Sequence, residues 1–178
     1  RATARVTALD PGTRPIIYAQ DLGSVYTLSD PSAPEEGVAL QTTVRNTLRA
    51  LGVDQDRAPI RVSVSSQVPI ARGMGSGTAV ATAIVRALTA FYGKTLSNEQ
   101  VSSLVFETEV ILHGTPSGVD NTVVAYERPV YFVRGQIPQA LTVGATLHLL
   151  IGDTGMPSKT GDVVSDVQLR WHTERIVY

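Results

Sequence analysis

The chain has 178 residues, 43% hydrophobic and 17% charged, with 15 Lys+Arg against 16 Asp+Glu and a net charge of -1. That is enough for one domain, or one domain and part of another, with a real apolar core, and it lacks the basic excess of a nucleic-acid or anionic-membrane binder. Absence of cysteine excludes disulfides, thiolate metal sites and a cysteine nucleophile, and His113, His148 and His172 are too far apart for a helical metal pair.

In chain order, Ala2 to Leu9 reads as a strand ending in the turn Asp10-Pro11-Gly12, and Pro15 to Gln20 and Ser24 to Leu28 as two more. Ser29 to Glu36 is a surface loop. Leu40, Val44, Leu48 and Leu51 recur at helical spacing with Gly52 as the stop. Pro59 to Ser66 alternates, with Ile60, Val62 and Val64 on one face, as a half-buried strand does. A glycine-rich loop from Val68 leads into a helix whose stripe is Val80, Ile84, Ala87, Leu88 and Phe91, stopped by Gly93. Ser97 and Gln100 form a capping box for a helix burying Val101, Leu104, Val105 and Leu112 and ending at Gly114. Asn121 to Ala125 and Val130 to Val133 are predicted as a strand pair, Ala145 to Ile151 as a further strand, and Thr160 to Tyr178 as a last helix with Val163, Val164, Val167 and Trp171 on one side. Strands and helices without regular alternation give an α+β class. No apolar run approaches the roughly 20 residues of a membrane span, and no signal-peptide pattern opens the chain, so a cytoplasmic protein is expected.

Three segments could carry chemistry. Gly73, Gly75 and Gly77 let the backbone come close to a ligand, and the helix starting near Thr78 directs N–H groups and a positive dipole end at it, with the Ser76 and Thr78 hydroxyls alongside. The segment reads equally as a flexible strand-to-helix connection. It is not a dinucleotide fingerprint, because Thr78 stands where the third glycine belongs; nor do Gly93, Lys94 and Thr95 end a P-loop, because Leu88 stands where its first glycine belongs. In the second segment, Glu109 to Asn121, Glu109 lies near a helix end whose dipole disfavours a carboxylate, and a cation would offset that. Asp120 follows a Pro-Ser-Gly turn and is placed to face a cleft. The alternatives are a solvated Glu109, a turn-forming Asp120 and a His113 bonding the last carbonyls of its helix. The third segment, Asp153 to Thr160, offers hydroxyls and Lys159 to a charged substrate, or simply a cap at Ser158.

Together these segments resemble the superfamily of galacto-, homoserine, mevalonate and phosphomevalonate kinases. Its loop pattern P-x-x-x-G-L-G-S-S-A-A is read here as P-I-A-R-G-M-G-S-G-T-A over Pro69 to Ala79. Within the superfamily, Glu109 to Asn121 carries every fixed position of the mevalonate kinase family pattern E-x-x-x-H-G-x-P-S-G-x-D-N. The resemblance implies a ribosomal-protein-S5-domain-2-like N-terminal kinase domain over residues 1–141, with 142–178 beginning a second α+β domain. It implies an ATP-dependent phosphotransferase acting on the C5 hydroxyl of mevalonate for isoprenoid synthesis, with Mg2+. A related kinase for phosphomevalonate or a sugar, and a non-catalytic nucleotide-binding module, remain alternatives. A nucleic-acid or membrane partner is not implied; a homodimer is left open.

Carried over by position, Asp120 matches the catalytic aspartate and Thr160 a threonine near the transferred phosphoryl group. Gly73, Gly75, Ser76, Gly77, Thr78 and Ala79 would cradle the ATP phosphates, Glu109 and Ser76 would hold the metal, and His113 and Ser117 would face the acceptor. Gly77 stands where the pattern has its second serine, usually a Mg2+ ligand, so Ser76 or Thr78 substitutes or the metal relies on Glu109. The family's lysine-G-E-H motif and its C-terminal glycine-rich motif have no match, and only Lys94 and Lys159 are present. With a start at Arg1, the expectation is a fragment of a longer kinase with little turnover of its own.

Overall fold

The structure, a computed structural model, describes residues 1–69, 73–152, 165–167 and 169–171. Four strands form one sheet: β1 (Ala2–Ala8), β2 (Ile16–Ala19), β3 (Ser24–Thr27) and β4 (Ile60–Ser66), in the order β1-β4-β2-β3. β4 is antiparallel to β1 and parallel to β2, with Val62 opposite both Val6 and Ile17. The alternation read in β4 holds: Ile60, Val62 and Val64 are buried while Arg61 is exposed.

Helix α1 (Glu35–Ala50) brings Val44 and Leu48 onto the buried face of the sheet, beside Ile17, Ile60 and Val62. Helix α2 (Ser76–Phe91) adds Ile84 and Leu88 to the same core. Its other side, Ala81 and Val85, packs with Val101, Val105 and Ala125 from α3 (Asn98–His113) and α4 (Val119–Tyr126). α2 is therefore covered on two sides, which fixes its N-terminus relative to the sheet on one hand and to α3 and α4 on the other. Phe91, predicted within the buried stripe, is exposed near the end of α2. The capping box at Ser97 and Gln100 is formed as predicted.

The α+β class stands, and two of the predicted strands do not. Asn121 to Ala125 belongs to α4, not to a strand. Asn121, Thr122 and Ala125 are buried together at helical spacing, and the Thr122 hydroxyl donates to the Gly118 carbonyl at 2.6 Å. A short apolar run cannot be assigned by periodicity alone, and here the glycine before it starts a helix. Val130–Tyr131 (β5) is a strand, but it pairs with Gln139–Ala140 (β6). Ala145 to Ile151 has no regular structure, and Leu147, Leu149, Leu150 and Ile151 are exposed. An apolar run becomes a strand only where a neighbour accepts its backbone hydrogen bonds, and among the described residues none pairs there. Of the predicted last helix, 165–167 and 169–171 are helical, with Val167 and Trp171 exposed. The rest of it, and the segment Asp153 to Thr160, lie outside the described residues. Among the described residues no helix is long and apolar enough to cross a membrane.

Candidate active site

The site begins at the N-terminus of α2. Gly73 and Gly75 have φ of +67° and +64°, a left-handed conformation that side chains resist. Gly75 is the residue before the first turn, so no side chain caps α2, and its first turn holds no acid. The N–H groups of Ser76, Gly77 and Thr78 and the positive end of the dipole are thus available to an anion. The predicted cradle extended to Ala79, but that N–H donates to the Gly75 carbonyl at 2.9 Å and already belongs to the helix. Ser76 and Gly77 also line a groove of about 120 Å³ that runs past Asp21, Ser66, Val80 and Leu112.

Glu109 faces this turn from α3. It is almost wholly buried, in contrast to a solvated helix residue. Its Oε1 accepts a 2.8 Å hydrogen bond from the Thr78 hydroxyl, and its Oε2 is 3.5 Å from Nε2 of His113 one turn on. Burial pushes the Glu109 pKa up; the Thr78 bond and then the charge of His113 pull it back, while the charge of Asp120 adds to the rise. Next to it on α3, Thr108 shares a buried 2.6 Å hydrogen bond with Thr43 of α1. The carboxylate is therefore held on a rigid part of the core.

Asp120 occupies the first turn of α4 and is exposed, where the helix dipole favours a carboxylate. Its position follows from how α4 is anchored. The Asn121 amide donates to the Ser102 carbonyl at 3.1 Å and to the Ser102 hydroxyl at 2.9 Å. At the far end, Arg86 of α2 donates to the Ala125 carbonyl at 2.8 Å and pairs with Glu127 at 3.2 Å. Gly118 starts the helix with φ of +91°, and a Cβ there would lie 3.2 Å from Cζ of Phe132. Gly118→Ala is therefore expected to lower unfolding stability by about 1–2 kcal/mol from backbone strain, measured by urea denaturation.

The structure brings Ser76, Gly77, Thr78, Glu109 and His113 together, with Asp120 close enough for its charge to act on Glu109. The Ser117 hydroxyl is turned to its own chain, accepting from the Val119 N–H at 3.2 Å. Thr160 lies outside the described residues. Among the described residues no cluster of three or more His, Asp or Glu could hold a metal alone. A single carboxylate beside free N–H groups nevertheless fits Mg2+, which keeps its waters and binds through one or two carboxylates plus the phosphates of a substrate. Sequence reasoning missed the Thr43–Thr108 bridge and the anchoring by Asn121. The signal for the first was a run of polar residues, Gln41, Thr43 and Thr47, on the buried side of α1.

A left-handed glycine pair opens a 16-residue helix, and a carboxylate is buried against its first turn, in an α+β domain whose helix N-terminus is open to an anion. Residues 39–128, which contain all the residues that meet at this site, match the GHMP kinases N terminal domain. The chain belongs to the GHMP kinase family. It is 31% identical over 118 residues to a mevalonate kinase of Pyrococcus furiosus, covering 66% of this chain and 35% of that protein. The chain thus spans about a third of the length of such curated relatives. Its fold is similar to that of L. major mevalonate kinase in complex with R-mevalonate, with a TM-score of 0.66 at 22% identity over 98% of this chain and 53% of that one. It is also similar to Streptococcus pneumoniae phosphomevalonate kinase in complex with phosphomevalonate and AMPPNP, with a TM-score of 0.55 at 19% identity over 71% and 38%.

Proposed function

We propose that the chain carries the phosphate-binding and acceptor-facing part of an ATP-dependent kinase that phosphorylates the C5 hydroxyl of mevalonate. The observation that carries this reading is the buried Glu109 hydrogen-bonded to the first turn of α2, with Asp120 on the neighbouring α4. In-line phosphoryl transfer asks a protein for positioning and charge stabilisation rather than covalent chemistry. Free N–H groups of residues 76–78 would hold the phosphates. Glu109 and Ser76 would hold Mg2+, which when bound supplies neutralisation of phosphate charge. Asp120 would accept or orient the proton of the attacking hydroxyl, and His113 would face the acceptor; Ser117, whose hydroxyl accepts from the Val119 N–H, is assigned to the acceptor on its resemblance alone. Thr160 is assigned to the transferred group on its resemblance alone. Residues 142–178 would begin a second domain, and the 178 residues by themselves would turn over little.

The identity of the acceptor rests on the E-x-x-x-H-G-x-P-S-G-x-D-N segment and on the mevalonate kinase relatives. It is tested by ADP release from the full-length protein with mevalonate, phosphomevalonate, galactose and homoserine. Mevalonate is expected to give the highest kcat/KM. Turnover with another member of the panel and none with mevalonate overturns the acceptor; no turnover with any overturns the kinase.

A further inference from the structure

We propose that Thr78 is a positioning residue for Glu109, its hydroxyl spent on holding the carboxylate rather than on the metal. Thr78 is 1% exposed and Glu109 2%, and the 2.8 Å bond between them is made in the interior, where a satisfied polar pair is rigid. Position 77 cannot supply the hydroxyl without displacement. A Cβ on Gly77 would stand 2.8 Å from Cδ1 of Leu112, and 3.9 Å from the same Oε1 that Thr78 already occupies. Glycine at 77 thus lets Leu112 close over the turn while Thr78, one residue on, reaches the carboxylate from inside the helix. Thr78 is a first-turn residue of α2, so the same side chain that fixes Glu109 ties it to the N–H groups that would bind phosphate. Carboxylate and phosphate cradle are registered by one hydrogen bond across α2 and α3.

The inference rests on the reading of Glu109 as the metal-holding carboxylate. The test is the dissociation constant of the Mn2+–AMPPNP complex for the full-length protein, followed by the EPR spectrum of bound Mn2+, together with the KM and kcat for MgATP. Thr78→Val is expected to weaken binding about 10–100-fold, as loss of an outer partner of a metal ligand does, and Thr78→Ser to restore it. Glu109→Gln weakens it at least as much, and Thr78→Val on that background adds nothing to the loss of metal binding, because no carboxylate is left for the hydroxyl to position. Unchanged binding in Thr78→Val overturns the proposal and leaves the role of Glu109 standing. Additive losses overturn it too, since they would make Thr78 act independently of the carboxylate. Wild-type binding by Glu109→Gln overturns the metal reading and this inference with it. If valine prevents folding, Thr78→Ala serves in the same comparisons.

Discussion

In the full-length protein, Asp120→Asn is expected to lower kcat by about 10²–10⁴-fold, the contribution typical of a positioned acid–base group, with little change in affinity for an ATP analogue. The separation of the two effects follows from the architecture. The groups proposed for the phosphates are backbone N–H groups on α2, whereas Asp120 stands on α4 and is reached from solvent. None of the bonds that anchor α4 involves its side chain: they run through Asn121, Thr122 and Arg86. Asparagine preserves its shape and removes one charge from the first turn of a helix, a change worth about 0.3–1 kcal/mol of stability. Unfolding therefore cannot account for a large loss of turnover. A fall in kcat smaller than about tenfold would remove Asp120 from the acid–base role, since even a modest contribution of that kind exceeds it.

The elements that position the site were legible where the physics is local. Alternation in Ile60, Val62 and Val64 marked β4, and Ser97 with Gln100 marked the start of α3. Gly73 and Gly75 marked a backbone that bends where only glycine bends easily. What was illegible depended on tertiary partners. Asn121 to Ala125 looks like a strand in isolation, and only the burial of Asn121 and Thr122 against Ser102 makes it a helix. That change matters to function, because it turns Asp120 from a residue at a strand entry into one at a helix N-terminus. Leu147 to Ile151 has the apolar character of a strand and none of the pairing. Within the site, residue types pointed to Glu109, but nothing local showed that the Thr78 side chain rather than its N–H would meet it. That contact spans 31 positions and exists only because α2 and α3 pack together.

Glu109→Gln should abolish most turnover and, in buffer free of divalent cations, make the protein more stable near neutral pH. The stabilisation follows from the direction of the Glu109 pKa, which burial raises above its ordinary value of 4.5 despite the opposing Thr78 bond and the His113 charge. Below about 4.5 folded and unfolded chains both hold the proton, and the carboxyl brings no ionisation penalty. Between that value and the raised folded-state pKa the unfolded chain releases the proton into water while burial makes the native protein keep it, so stability falls over this interval and stays lower above it. Glutamine has the same shape, keeps an oxygen for the Thr78 hydroxyl and never ionises. Urea denaturation against pH should therefore show the variant above wild type at pH 7, with the gap narrowing towards pH 4. Turnover should fall by more than the roughly 10–100-fold that loss of an outer-shell partner brings, because here the carboxylate proposed to touch the metal is itself removed. Wild type proving more stable than the variant at neutral pH without divalent cations would mean that its surroundings favour the buried charge unaided. The site would then have no need of a cation to offset it, and the case for Mg2+ at Glu109 would lose its physical ground.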